Sequence, residues 1–134
     1  MKRLALSSIL LVLLALPAQA WFSKGTVPPC DSQQVLANVA QRFAYADTHT
    51  FHWGLSIRHV TSIAETPEVI RSRSVIARRY CRGVAWMSDG SQSQVYYLIE
   101  SHQGFASFGY RVQSCLPAYD PWHVYDSWCR AAQP

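Results

Sequence analysis

The sequence is poor in the motifs that announce catalysis. Its four cysteines include no Cys-x-x-Cys spacing, which weighs against a zinc site built on them. No Gly-x-Ser-x-Gly or comparable nucleophile elbow occurs. Glu100 is the only acid in the strand-like centre of the chain, so glycosidase chemistry lacks its second carboxylate there. There is no internal repeat, no low-complexity tract and no dense basic stripe of the kind that tracks nucleic acid. Past residue 20 no apolar run approaches the length of a membrane span. These gaps leave no cofactor, no metal and no nucleic-acid partner to expect.

The first twenty residues read as a secretory signal peptide. Lys2 and Arg3 form a basic start, Leu4 to Leu16 an apolar run, and Ala18-Gln19-Ala20 a small-residue cleavage site. No cysteine follows directly, which argues against a lipoprotein. The remainder, 21–134, is short enough for a single domain with one modest core. Without Lys2 and Arg3, ten basic and eight acidic residues remain, a net charge of +2. An exported chain with Cys30, Cys81, Cys115 and Cys129 is expected to form two disulfides, with three connectivities open. The favoured pairing is Cys30–Cys81 with Cys115–Cys129, which closes a short local loop and ties a helix start to a sheet.

The region from Ser74 to Cys115 reads as three antiparallel strands. Ser88-Asp89-Gly90-Ser91 suggests a two-residue type I′ turn. That register sets Trp86 opposite Ser93, Val84 opposite Val95, Arg82 opposite Tyr97 and Tyr80 opposite Ile99. A second turn at Ser101-His102-Gln103-Gly104 sets Tyr97 opposite Phe108. The expected core face is then Tyr80, Val84, Trp86, Val95, Tyr97, Ile99, Phe108, Tyr110 and Val112, with Cys81, Tyr96, Leu98 and Arg111 on the other. Arg82 falls on the core face as a misfit, relieved if a bulge lies near Arg78-Arg79.

Upstream, Asp31 and Gln34 suit a capping box, and Val35, Leu36, Val39, Ala40 and Phe43 recur at helical spacing, so a helix should run to Tyr45 or Ala46. Thr50 to Thr61 alternates, with Phe51, Trp53, Leu55 and Ile57 on one side, as a half-buried strand does. Ser62 to Arg73 reads as a connection. After Cys115 the chain is crowded with aromatics and prolines and lacks a period, which suggests an ordered arm. The fold expected is α+β: one N-terminal helix on a four-stranded antiparallel sheet, in cystatin-like roll order, with a disulfide-stapled C-terminal arm. The runs Ile76 to Cys81, Ser88 to Gly90, Tyr97 to Glu100, Gly104 to Ala106 and Tyr119 to Tyr125, with Cys129-Arg130, together resemble short exported proteins of alphaproteobacteria. That resemblance implies an exported Gram-negative protein and brings no activity with it.

Two kinds of surface remain as candidate sites. Trp122 and Tyr125 in the arm, with Arg78 and Arg82 from the basic cluster Arg71 to Arg82, could bind an envelope protein or a cell-wall component. An arginine cluster also serves as a solvated strand edge, and arm aromatics also fill small cores. His123 beside Asp120 or Asp126 could act as a general base in a small periplasmic hydrolase, although Asp120-Pro121 is equally turn chemistry. His49 and His52 lie three apart, a spacing that ordinary turn histidines share. The function read from these features is a periplasmic or secreted, disulfide-stabilised, non-enzymatic binding or accessory protein of the bacterial envelope, with the hydrolase as the alternative.

Overall fold

The structure, a computed structural model, describes residues 27–67, 76–101 and 109–134. The expected leader at 1–20 therefore lies outside the described residues. Helix α1 (Gln33–Ala46) is followed by a π-helical turn (Asp47–Phe51) and four strands, β1 (Ile57–Thr66), β2 (Arg78–Met87), β3 (Gln92–Ser101) and β4 (Tyr110–Cys115). Each strand pairs antiparallel with the next, in the order β1-β2-β3-β4. Two 3-10 turns (Pro117–Tyr119 and Ser127–Ala132) complete the arm.

Helix α1 forms because one apolar stripe can be buried. Val35, Val39 and Phe43 are buried, with Leu36 and Ala40 packed beside them. Each fully buried side chain of this size contributes about 1.5–3 kcal/mol, far more than the helix's own propensity. The expected Asp31–Gln34 capping box is not what starts it. Ser32 is the N-cap, and it makes no side-chain capping bond. The helix ends at Ala46, as its spacing suggests.

The stripe packs on the inner face of the sheet, formed by Cys81, Ala85, Met87, Val95, Tyr97, Ile99 and Val112. On β3 this is the expected face. On β2 it is the opposite one, because the β2–β3 register is shifted by one residue. Gly83, not Val84, faces Val95; Cys81, not Arg82, faces Tyr97; Arg79 faces Ile99. The turn explains the slip. Gly90 N–H donates to Met87 O, Met87 pairs with Ser91, and Gly90 has φ +86°. This is a three-residue loop, a type I turn closed by a left-handed glycine, rather than a type I′ pair. The Asp89 carboxylate accepts from the Ser91 hydroxyl and amide, which holds its pKa below the usual carboxylate range. A one-residue slip moves every β2 side chain to the other face. Tyr80, Val84 and Trp86 therefore leave the core, and Cys81 enters it. Arg82 becomes an ordinary exposed residue opposite Tyr96, and no bulge is needed to expel it.

The β3–β4 register also differs, by an even step. Ile99 faces Val112 and Tyr97 faces Ser114, so Val112 keeps its inner face. The expected turn after Ser101, and Phe108 with it, lies outside the described residues. The first strand is displaced more. Thr50 to Ser56 is not strand; β1 begins at Ile57 and continues through Thr66, with irregular pairing between Thr61 and Ala64 where Ser62 takes φ +52°. Gly83 sits where β1 crowds β2: a Cβ there would lie 2.7 Å from Val60 Cγ1.

Both favoured disulfides are present. Cys30–Cys81 joins the start of α1 to the inner face of β2, and Cys115–Cys129 fastens the arm to the end of β4. The Tyr97 hydroxyl donates to Cys30 O at 2.8 Å beside the first of them. On the outer face Cys129 and Ala132 pack against Cys115 and Tyr96, so the end of the arm covers part of that face.

Candidate functional site

Two buried aspartates organise the region where the end of α1 meets the arm. Asp47 follows the last residue of α1, and its carboxylate accepts from the amides of Trp53 and Gly54, both at 3.0 Å. The amide of His52 donates to Asp47 O, and His52 takes the left-handed conformation, φ +57°. The chain is thereby folded back into a tight hook. Asp120 does the same for the arm, accepting from the amides of Val124 at 3.0 Å and Tyr125 at 3.4 Å. A buried carboxylate with amide donors on both oxygens is satisfied, and the backbone around it is fixed.

The hooks present aromatic rings that meet. Phe51 stacks on Trp53 at 4.2 Å and on Trp122 at 5.2 Å, with interplanar angles of 8° and 18°. Tyr119 packs edge-on against Phe43 and touches Trp53, each at 5.6 Å. Its hydroxyl also pairs with Ser91 Oγ at 3.2 Å, so the cluster sits at the β2–β3 turn. Trp53 and Trp122 remain 43% and 63% exposed, more open than their stacking would need for burial alone. Farther along the arm, Trp128 is 78% exposed and holds φ +55°. The left-handed region is strained for a bulky side chain. Here the Cys115–Cys129 bond and the Gln133 Nε2 hydrogen bond to Trp128 O hold that segment in place.

Between α1 and the arm lies a half-open cleft of about 570 Å³. Phe43, Phe51, Leu116, Tyr119, Val124 and Tyr125 supply apolar walls, and Asn38, Gln41, Arg42 and Tyr45 on α1 form a more polar rim. This size falls within the range of about 300–1,000 Å³ typical of small-ligand sites.

The expected site residues divide in two. Trp122 and Tyr125 are both here, Trp122 on the stacked rings and Tyr125 in the cleft wall. Arg78 and Arg82 are elsewhere, on β2. Arg78 donates to buried Glu100 at 2.8 Å, and Arg111 reaches the other Glu100 oxygen at 3.3 Å. Arg78 thus helps neutralise a buried acid at the end of β2 remote from the cleft. Arg82 is exposed on the outer face.

His123 and Asp120 both line a small pocket of about 100 Å³ with Pro117, Trp128 and Cys129, and both candidate carboxylates carry other hydrogen bonds. Asp120 is occupied by the arm amides, and Asp126 accepts from the Ser127 amide and from Arg130. Those bonds hold the Asp126 carboxyl below the usual range. His123 is exposed at φ +52°, in a strained turn. His49 Nδ1 donates to Tyr45 O at 2.8 Å and its ring stacks on Tyr45, which is local turn chemistry. Asp120 also lies near the sulfurs of Cys115 and Cys129, but those are joined to each other and offer no thiolate to a metal.

Asp47, Phe51 and Trp53 were not visible as site residues in the sequence. The alternation from Phe51 to Ile57 marks them as a strand, and an aspartate bonding six and seven residues ahead has no simple spacing signature. Gly54, at φ +71°, is the only local sign of a turn there. Neither family models, nor curated proteins, nor solved structures give a match to this chain.

Proposed function

We propose that this is an exported, disulfide-stabilised, non-enzymatic binding protein of the bacterial envelope, and that it holds its ligand at the cleft between α1 and the arm. The observation that carries this reading is the cleft itself: a preformed apolar cavity beside stacked, exposed tryptophans, fixed from behind by two buried aspartates. Such rigidity lowers the ordering cost of association. The groups that would do acid–base work nearby, Asp120 and Asp126, are engaged in holding backbone, which favours binding over catalysis. Two disulfides are consistent with an extracytoplasmic location. Among the described residues no helix is long and apolar enough to cross a membrane.

Immobilised, oxidised protein exposed to a bacterial envelope extract tests the reading. The expected result is a retained component that is lost when Trp122→Ala and Tyr125→Ala are introduced together. Retention that does not depend on these residues, or none at all, overturns the assignment of the cleft as the binding site.

A further inference from the structure

The cleft's chemistry narrows the ligand. A sugar or nucleotide site needs several polar groups converging on the ligand. Here few free polar groups converge: the Asp120 carboxylate and the Tyr119 hydroxyl are engaged by the protein itself, which leaves the Ser114 and Tyr125 hydroxyls in the wall. Both Asp120 oxygens face amides of the arm, and the Tyr119 hydroxyl pairs with Ser91. Most of what faces the space is hydrocarbon and ring surface from Phe43, Phe51, Leu116, Val124 and Tyr125. The rim differs. Asn38, Arg42 and Tyr45 are spaced three and four apart and share one side of α1. Arg42 is exposed and, among the described residues, is the only cationic side chain lining the cleft. The Asp120 carboxylate is buried and held by amide donors, whereas Arg42 is exposed, so the charge most accessible at the mouth is positive.

We propose that the cleft takes the hydrocarbon tail of a single-chain amphiphile with an anionic head, the tail lying against Phe43, Leu116 and Val124 and the head meeting Arg42. This rests on the cleft being the protein's binding site and adds the chemical class of what fills it. A half-open apolar cleft of about 570 Å³ with one exposed cation at its rim suits a single tail and a single negative charge. Trp53 and Trp122 flank the site and supply the emission change that reports filling.

The test titrates the oxidised protein with dodecanoate below its micelle concentration, following tryptophan emission and calorimetric heat. Dodecylamine serves as the charge-reversed chain, and a soluble cell-wall oligosaccharide as the polar alternative. Saturable one-to-one binding of dodecanoate, with dodecylamine much weaker, is expected. Dodecyl phosphate run in parallel shows whether carboxylate or phosphate is the better head; tighter binding of either supports the proposal. Arg42→Glu should weaken dodecanoate by about tenfold and shift preference toward the amine. Val124→Asp, at a position that is 70% exposed and so expected to fold, should abolish binding of the chain. Equal binding of dodecanoate and dodecylamine, full binding by the Val124→Asp variant, or binding of the oligosaccharide alone overturns the proposal. If dodecanoate does not bind while envelope capture still depends on Trp122 and Tyr125, this inference fails and the binding assignment stands.

Discussion

Phe51 lies between two indoles, and its contact with Trp122 at 5.2 Å joins the hook after α1 to the arm after β4. The two segments are 71 residues apart in sequence, from 51 to 122. Phe51 also lines the cleft. Stacked aromatic pairs contribute about 0.5–1.5 kcal/mol each beyond area burial. Phe51→Ala removes both stacks, so it should lower stability by about 1–3 kcal/mol, whereas Trp122→Ala removes one and should cost about 1 kcal/mol. Near-ultraviolet circular dichroism should lose its aromatic signal more fully in the Phe51 variant. Equal effects in both variants would mean that Phe51 does not bridge the segments.

The two aspartates invite a matched comparison. Each carboxylate accepts from two backbone amides, so Asp47→Ala and Asp120→Ala should each cost about 1–3 kcal/mol through the loss of two part-buried hydrogen bonds. The losses should be local. Hydrogen exchange should quicken at Trp53 and Gly54 in the first variant and at Val124 and Tyr125 in the second. The Asn substitution keeps an acceptor at each site and should recover part of the protection. Uniform loss of protection across the sheet in either variant would show that the aspartate supports the whole fold rather than its own hook.

The sequence spoke most clearly where one rule acted alone. The α1 stripe needed only helical spacing and a sheet to cover it, and Val35, Val39 and Phe43 are where that spacing puts them. The pairing of Cys30 with Cys81 followed from the need to tie the helix start to the sheet. The β2 face was lost because two turn solutions compete at Ser88-Asp89-Gly90, and they differ by one residue. Asp89 decides between them by bonding the Ser91 amide, and Gly90 then supplies the left-handed residue. The hook from Asp47 to Gly54 was hidden for a different reason. Phe51, Trp53 and Leu55 alternate as a strand's residues would, yet the alternation serves ring stacking around a turn whose determinant, Asp47, lies upstream. Within the site, Trp122 and Tyr125 were legible as aromatics without a period to bury them. That Arg78 in particular stands opposite Glu100 follows from a register that the turn shifts.

The disulfides should separate in effect. Cys115–Cys129 closes a sequence separation of 14 and holds only the arm, while Cys30–Cys81 spans 51 and lies within the main core. By loop entropy alone the shorter bridge contributes about 3 kcal/mol and the longer about 4 kcal/mol. Replacing Cys115 and Cys129 by Ser should free the arm, expose Tyr96 and erase the cleft while leaving a cooperative unfolding transition. Replacing Cys30 and Cys81 should lower the midpoint further and weaken the packing of α1. Peptide mapping of the unreduced protein checks the pairing, and thermal unfolding with a cleft probe checks the division. A cleft that survives the first replacement would show that Asp120 and the ring stack hold the arm without the bond.

Tyr97 gives the fold a defined alkaline limit. Burial, with a smaller contribution from the charge on Asp31, pushes its hydroxyl up to about 12 from an ordinary 10.0. The neutral phenol is the form the folded state favours, donating to Cys30 O at 2.8 Å. A raised folded value means the contribution is fully present below pH 10 and is lost as pH climbs from 10 toward 12. The two-unit difference corresponds to a loss of about 2–3 kcal/mol at most, complete only above the folded value. Denaturant midpoints measured from pH 8 to 12, with phenolate absorbance read alongside, should therefore fall steeply above pH 10 in the native sequence. Tyr97→Phe should start lower, by about 1 kcal/mol for the unmatched Cys30 carbonyl, and then decline less with pH. An equally steep decline in the Phe variant would place the alkaline sensitivity in another group and remove Tyr97 as its cause.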